Sequence, residues 1–205
     1  MEHFSHNVLA LIAAHPDMSA FLIGLTAFGE SFAVISFFIP GTTILIAAGA
    51  LVERGALDPL VTVTAAAIGA VLGDAVSYWI GLRFGRALHK FWPFNLHPTA
   101  LVEGERFFQK YGLASIFIGR FFGPLRAFVP LVAGTCRMPA LPFYIANIVS
   151  AVIWAPALLY SGYFMGKVFS SHWSVPEKIA FFAAAAALFV LLTYASRRFF
   201  RVKND

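Results

Sequence analysis

The sequence contains little cysteine and few charged residues. Cys136 is the only cysteine, which excludes an intrachain disulfide and a cysteine-rich metal cluster. Charged residues make up 12% of the 205 positions, compared with about 25% in soluble domains. Hydrophobic residues make up 60%, and the mean hydropathy is +0.78. This composition predicts a membrane protein with no separate soluble domain.

The sequence gives no indication of a signal peptide or a nucleic-acid site. The first residues include Glu2 and no basic segment, so we expect the hydrophobic segments themselves to direct insertion. The formal charge is +5, but most basic residues flank apolar stretches, which indicates contact with anionic lipid headgroups. His3 and His6 are expected at the surface. We therefore predict no cofactor, no metal and no nucleic-acid partner.

Five apolar stretches predict an all-α polytopic membrane protein, at residues 18–52, 60–82, 112–134, 139–166 and 179–196. Two of them have the length of a single crossing, 60–82 and 179–196. The stretch 139–166 contains Pro156, which predicts a kinked or tilted span. We expect an interfacial segment at 1–17, a membrane domain at 18–167, and a C-terminal transmembrane helix with a basic tail at 168–205.

The stretches 18–52 and 112–134 are interrupted in ways that do not suit a single span. The first is too long for one crossing and too short for two, and the second contains two arginines and two prolines. Non-helical backbone at membrane depth persists only where protein or a wet cavity satisfies it. We therefore predict two re-entrant hairpins, with the helices broken at Pro40, Gly41, Pro124 and Pro130.

Charge and repetition predict that the hairpins open on opposite sides. The connection 83–111 is basic, as is the C-terminal tail, so both are expected in the cytoplasm. The connection and the tail can both be cytoplasmic only if the stretch 112–134 enters the membrane and returns to the same side. Residues 40–49 and 124–134 also share a pattern that runs from proline to Ala-Gly, which indicates an inverted repeat.

Four charged residues lie inside the apolar stretches: Glu30, Asp74, Arg120 and Arg126. Each costs roughly 2.5–3.5 kcal/mol at a helix centre. Desolvation favours neutral carboxyl groups, so Glu30 and Asp74 are candidate proton carriers. The guanidinium groups of Arg120 and Arg126 match the oxygens of a phosphate, which predicts an anionic lipid-phosphate substrate. A purely structural role, as two buried salt bridges, remains open.

Several motifs resemble those of the DedA family, whose members are also called SNARE-associated or VTT-domain membrane proteins. The most specific block contains Gly119, Arg120, Phe121, Pro124 and Arg126. Further matches are Gly29, Glu30, Pro40, Gly41, Ala48, Gly49, Gly73, Asp74, Tyr78, Gly81, Phe107, Tyr111, Gly112, Pro130, Ala133, Gly134, Met138, Phe143, Asn147, Trp154, Gly162, Tyr163 and Gly166.

This resemblance implies a helical fold with two opposed re-entrant hairpins. It also implies proton-motive-force-dependent transport of a lipid, such as undecaprenyl phosphate, across the bacterial cytoplasmic membrane. Glu30, Arg120 and Arg126 resemble family residues regarded as functional. Many members carry an acid directly after Pro-Gly, whereas this chain has Thr42 and Thr43. Proton coupling therefore either uses Asp74 instead or differs.

Proteins of other functional classes would use these four charged residues differently. A cation/proton antiporter or small-solute transporter would use the two acids but gives the two arginines no clear role. A lipid phosphatase is not expected, because no histidine is positioned near the arginines as a nucleophile and no metal-ligand cluster is present. We predict a transporter rather than an enzyme. The sequence leaves open the lipid, the direction of transport and whether the protein forms a homo-oligomer.

Overall fold

The computed structural model describes residues 7, 9–12, 16–33, 35–36, 38–85, 87, 98–121, 126–170, 174 and 176–177. In these residues the fold is all-helical, as predicted, with no strand. From residue 16 onward, the described part of the chain contains seven helices: α1 (Pro16–Ser31), α2 (Gly41–Glu53), α3 (Pro59–Phe84), α4 (Pro98–Tyr111), α5 (Ala114–Phe121), α6 (Phe128–Thr135) and α7 (Ala140–Ser170). The predicted span at 179–196 lies outside the described residues, as does Pro124.

Helices α3 and α7 are the two described helices that are long and apolar enough to cross a membrane. Helix α3 begins where the Asp58 carboxylate accepts a hydrogen bond from the Val61 amide at 2.8 Å, with Pro59 in the first turn. Its 26 residues span about 39 Å, more than the hydrocarbon core of a bilayer. Large apolar side chains such as Leu60 and Trp79 point outward from it, as expected for a lipid-facing helix.

Helices α1 and α2, the first helix pair, lie beside the N-terminal part of α3. Gly69 packs against the backbone of Gly24, and Gly73 packs against that of Phe28, so α1 and α3 run parallel and in step. Helix α2 then begins at Gly41, which contacts Glu30 at the end of α1. Because α2 ends shortly before α3 begins, it must return toward the start of α1. The first pair therefore turns back near the middle of α3.

Helices α5 and α6 form the second helix pair, and α6 lies beside the C-terminal part of α3. The pair is close-packed at Gly119, where an added Cβ would press on the side chain of Val129. Beyond the end of α6, the carbonyl of Met138 accepts a hydrogen bond from the Tyr78 hydroxyl. Helix α7 then runs antiparallel to α3, with Phe143 stacked on Tyr78 at a ring-centroid distance of 4.1 Å.

Besides the contact of α1 with α3, glycines make two further close helix crossings, and the first joins α2 to α7. A Cβ added to Gly49 would overlap the carbonyl of Leu159 and lie within 2.9 Å of the Tyr163 amide nitrogen. A Cβ added to Gly162 would overlap the carbonyl of Ile46. Each glycine thus faces the other helix's backbone, because only glycine allows so close an approach.

The second crossing, of α6 on α3, repeats the first in register. Gly134 faces the carbonyl of Tyr78 and the amide of Leu82, and Gly81 faces the carbonyl of Leu131. As in the first crossing, each glycine meets the carbonyl three positions before its partner glycine. The face of α3 that carries Gly81 is thus a packing surface.

The chain divides into two compact units at Gly166. The first unit contains the packing described above, and Ile12, in the predicted interfacial segment, is buried in its core. In the second unit, from Lys167 onward, the described residues are the last turn of α7 and three positions after it. There, the amide and hydroxyl of Ser174 donate to the carboxylate of Glu177 at 2.7 and 2.9 Å.

Candidate functional site

All four charged side chains predicted within the apolar stretches are buried. The exposed fractions are 7% for Glu30, 5% for Asp74, 4% for Arg120 and 7% for Arg126. They form two ion pairs, each joining an acid from the first half of the chain to an arginine at the second helix pair. The structure therefore brings together the predicted residues, and pairs each acid with one base.

The first ion pair joins Arg120, in the last turn of α5, to Asp74 near the middle of α3. The Arg120 Nη2 donates to the Asp74 carboxylate and to the side-chain oxygen of Asn147 on α7. Asn147 is held in turn, because its amide nitrogen donates to the carbonyl of Val71 at 3.1 Å. Nη1 of Arg120 has no hydrogen-bond partner among the described residues. This network links three helices in a closed environment.

The second ion pair joins Arg126, before α6, to Glu30 at the end of α1. The Arg126 Nη1 lies 3.0 Å from Glu30 Oε1, and Nη2 donates to Ser31 Oγ at 2.9 Å. The guanidinium lies over the ring of Trp154, 4.0 Å from its centroid, which adds a cation–π contact. Thr42, in the first turn of α2, donates its hydroxyl to the same Glu30 oxygen. Arg126 is thus oriented by α1 and α7 together.

A cavity of about 440 Å³ opens beside the Glu30–Arg126 pair. Its lining consists of the turn between α1 and α2, the start of α2, and the residues that begin α6: Glu30, Ser36, Ile39, Pro40, Gly41, Thr42, Thr43, Arg126, Ala127 and Phe128. The second oxygen of Glu30, Oε2, is buried and has no hydrogen-bond partner among the described residues. The cavity is large enough for a small polar headgroup.

The two arginines that the sequence predicted as one phosphate site differ in their position relative to the cavity. Arg126 lines the cavity, whereas Arg120 and Asp74 do not. Of the predicted helix-breaking residues, Pro40 precedes α2 and Gly41 begins it. Pro130 lies in the first turn of α6, where a proline is tolerated, because amides there have no intrahelical acceptor.

Three further polar or aromatic residues belong to this site, and sequence analysis assigned them no role in it. Asn147 holds Arg120, Ser31 holds Arg126, and Trp154 lies against the Arg126 guanidinium. A polar residue such as Asn147 inside a long apolar stretch was the available signal, since an unpaired amide is costly in a membrane. Its partner could not be read from the sequence.

These observations define a helical protein with apolar outer surfaces, two buried ion pairs and a cavity between helix ends. The model of the VTT domain family matches residues 39–164. The chain is 35% identical to inner membrane protein YabI of Escherichia coli, over 81% of this chain and 63% of YabI. It is 31% identical to protein DedA of Escherichia coli, over 81% of this chain and 77% of DedA. The chain belongs to the VTT-domain, or DedA, family of membrane proteins.

A mycobacterial relative extends over more of the chain. An uncharacterized membrane protein of Mycobacterium tuberculosis is 32% identical over 92% of this chain and 87% of its own length. The chain spans less than two thirds of YabI and of two matching Buchnera aphidicola membrane proteins. No solved structure matches the chain. The predicted family and the membrane location are confirmed by these similarities.

Proposed function

We propose that this protein moves a lipid phosphate, of the undecaprenyl phosphate type, across the bacterial cytoplasmic membrane with coupling to the proton gradient. The observation that carries the proposal is the buried Glu30–Arg126 pair in the wall of the cavity. Arg126 supplies a fixed cation with planar donors, which suits a phosphate group. Glu30 supplies a carboxylate that can exchange a proton at the same place.

The proposed arrangement in the membrane is that of two re-entrant hairpins from opposite faces. Helices α1 and α2, of 16 and 13 residues, are about 24 and 20 Å long, and α5 and α6, of 8 residues each, about 12 Å. None of these reaches the ~30 Å of a bilayer core. The equal register of the two glycine crossings supports an inverted repeat. In this arrangement the cavity lies near mid-membrane.

The proposed coupling is a competition for Arg126. In the structure its guanidinium is bound to Glu30 and Ser31, so a phosphate must displace the carboxylate. Protonation of Glu30 removes its negative charge and weakens its hold on Arg126, which then binds the phosphate. A proton and an anionic headgroup therefore enter together. The Asp74–Arg120 pair can act in the same way, with protonation of Asp74 releasing Arg120 to bind a phosphate. Nη1 of Arg120 is unpartnered among the described residues.

The cation/proton antiport alternative has one observation in its favour. Oε2 of Glu30 is a buried oxygen beside the cavity with no hydrogen-bond partner in the described part of the chain. The Arg126 charge, however, is 3.0 Å from the other oxygen and would repel a bound cation. An anionic substrate agrees better with this geometry.

Transport in liposomes tests the proposal. Purified protein would be reconstituted with labelled polyprenyl phosphate, with and without a pH gradient, and the label that reaches the opposite leaflet would be measured. Arg126→Lys is expected to slow transport about 10-fold or more, because a lysine keeps the charge but loses the planar pair of donors. Arg54→Lys, at the exposed end of α2, is the matched control.

Two results would contradict the proposal. Wild-type rates in Arg126→Lys would exclude a phosphate bound to this guanidinium and favour a structural salt bridge. Equal movement of neutral polyprenol and polyprenyl phosphate would exclude recognition of the headgroup.

Cysteine labelling tests the membrane arrangement separately. In a Cys136→Ser background, a cysteine at exposed Ala56 should react only from outside, and one at exposed Arg137 only from the cytoplasm. Labelling of position 137 from outside would overturn the re-entrant arrangement of α5 and α6.

A further inference from the structure

We propose that the first turn of α2, with the hydroxyls of Thr42 and Thr43, forms the second half of the phosphate site, opposite Arg126. This inference rests on the proposed function and assigns further ligands within the same cavity. The group recognised is a phosphate monoester, carried by a lipid or free in solution.

The start of α2 has the features of an anion site. The helix has 13 residues and begins at Gly41, and the residue before it, Pro40, provides no side-chain cap. The amides of the first turn have no acceptor within a helix and carry partial positive charge. Thr42 and Thr43 follow directly, and both are exposed and line the cavity. Two hydroxyl donors thus stand beside the free end of a helix.

An anion already lies at this turn, and it belongs to the protein. The Glu30 side chain lies so close to Gly41 that an added Cβ would overlap the carboxylate. The same carboxylate accepts a hydrogen bond from the Thr42 hydroxyl and forms the ion pair with Arg126. Glu30 is therefore held between the two halves of the proposed site. The pocket that binds a carboxylate here can bind a phosphate oxygen in its place.

The unpartnered oxygen of Glu30 is the second, independent observation. The Glu30 side chain is only 9% exposed, and its Oε2 has no hydrogen-bond partner among the described residues although it is buried. A buried carboxylate oxygen without a donor is costly, so the resting arrangement leaves part of the site unsatisfied. A protonated Oε2 becomes a donor to a phosphate oxygen in the cavity. The one bond formed in the protein is the O–H bond at Oε2, and its proton comes from solvent.

The threonines also decide the charge of the site. Directly after Pro40 and Gly41, this chain has the neutral hydroxyl groups of Thr42 and Thr43. An acid at position 42 would place a second negative charge beside Glu30 and repel a phosphate. Thr42 and Thr43 therefore make the start of α2 a donor surface, which is why we assign it to an anion.

Binding in detergent tests this assignment with farnesyl phosphate, inorganic phosphate and farnesol as probes. Thr42→Val and Thr43→Val are expected to weaken farnesyl phosphate binding about 10-fold each, because each removes one hydrogen bond to a charged group. Thr42→Glu should weaken it further, and Thr42→Ser should keep it near wild type. Thr64→Val is the matched control, because Thr64 is exposed on α3 and bonds only its own helix. Each variant is compared at equal monodispersity and thermal stability.

The outcomes separate this inference from the proposed function. Wild-type affinity in both valine variants, with binding lost in Arg126→Lys, would overturn the threonine site and leave the proposed function intact. Absence of binding by the wild-type protein to every phosphate probe would overturn both. Threonine-dependent binding that is tighter for inorganic phosphate than for farnesyl phosphate would support the site and assign it to a free anion. Equal affinity for farnesol and farnesyl phosphate would overturn the inference.

Discussion

Replacing Asp74 with asparagine should destabilise the protein by about 3 kcal/mol. The Asp74 and Arg120 side chains are only 7% and 3% exposed, so the variant leaves a buried guanidinium without its counter-charge. Removing one partner of a buried pair costs about 3–5 kcal/mol. Asparagine keeps the shape and one acceptor oxygen, so the lower value applies. At roughly 2–4 °C per kcal/mol for a chain of this size, Tm should fall by about 6–12 °C.

Thermal unfolding in detergent, followed by intrinsic fluorescence, measures this loss. Asp58→Asn is the control, because Asp58 is an exposed helix cap and asparagine caps nearly as well. In a double-mutant cycle, Arg120→Gln in the Asp74→Asn background should cost much less than Arg120→Gln alone, since no charge is then left unpaired. Additive losses, or an unchanged Tm in Asp74→Asn, would show that the pair does not stabilise the fold.

Three other groups of variants test separate parts of the structure. Glu30→Gln should insert normally but remove the rise in transport that acidification on the substrate-entry side gives the wild type; an unchanged pH profile would exclude Glu30 as the coupling group. Gly49→Ala and Gly134→Ala should each lower the free energy of unfolding by about 1–3 kcal/mol, because the added methyl group overlaps the facing backbone. Gly24→Ala should lower it less, since its Cβ would lie 3.2 Å from a carbonyl oxygen. Equal Tm values in all three variants would refute the close crossings. Binding of farnesyl phosphate should change the tryptophan fluorescence through Trp154, which contacts Arg126, and Trp154→Phe should abolish most of that change. A fluorescence change of wild-type size in Trp154→Phe would place the ligand elsewhere.

The spans of the long helices could be predicted from the sequence alone. The stretches 60–82 and 139–166 correspond closely to α3 and α7, because a long apolar run has few alternatives to a helix. The helix break in 18–52 was also readable, since Pro40 and Gly41 interrupt an otherwise continuous helical pattern and α2 begins there. Local chemistry was sufficient for these features.

The pairing of the charges could not be predicted. Asp74 and Arg120 are 46 positions apart and Glu30 and Arg126 are 96 apart, so their partners depend on how the helices pack. The composition of the four residues allows either acid to pair with either base. The glycine crossings set the register of α6 on α3 and of α2 on α7. The same packing places Arg126 beside the cavity and encloses Arg120, which no spacing rule could indicate.

The close glycine crossings also affect the leakage of water and ions across the membrane. In the proposed re-entrant arrangement, the gaps between the broken segments would be a route for water and ions across the membrane. At Gly49 and Gly134 the helix backbones are in such close contact that an added methyl group would overlap the facing carbonyl oxygen. The space between the backbones is therefore too small for a water molecule. A file of water therefore cannot run along either crossing. The glycines of the two crossings do not line the cavity beside Arg126, where the charge of the guanidinium opposes hydrated cations.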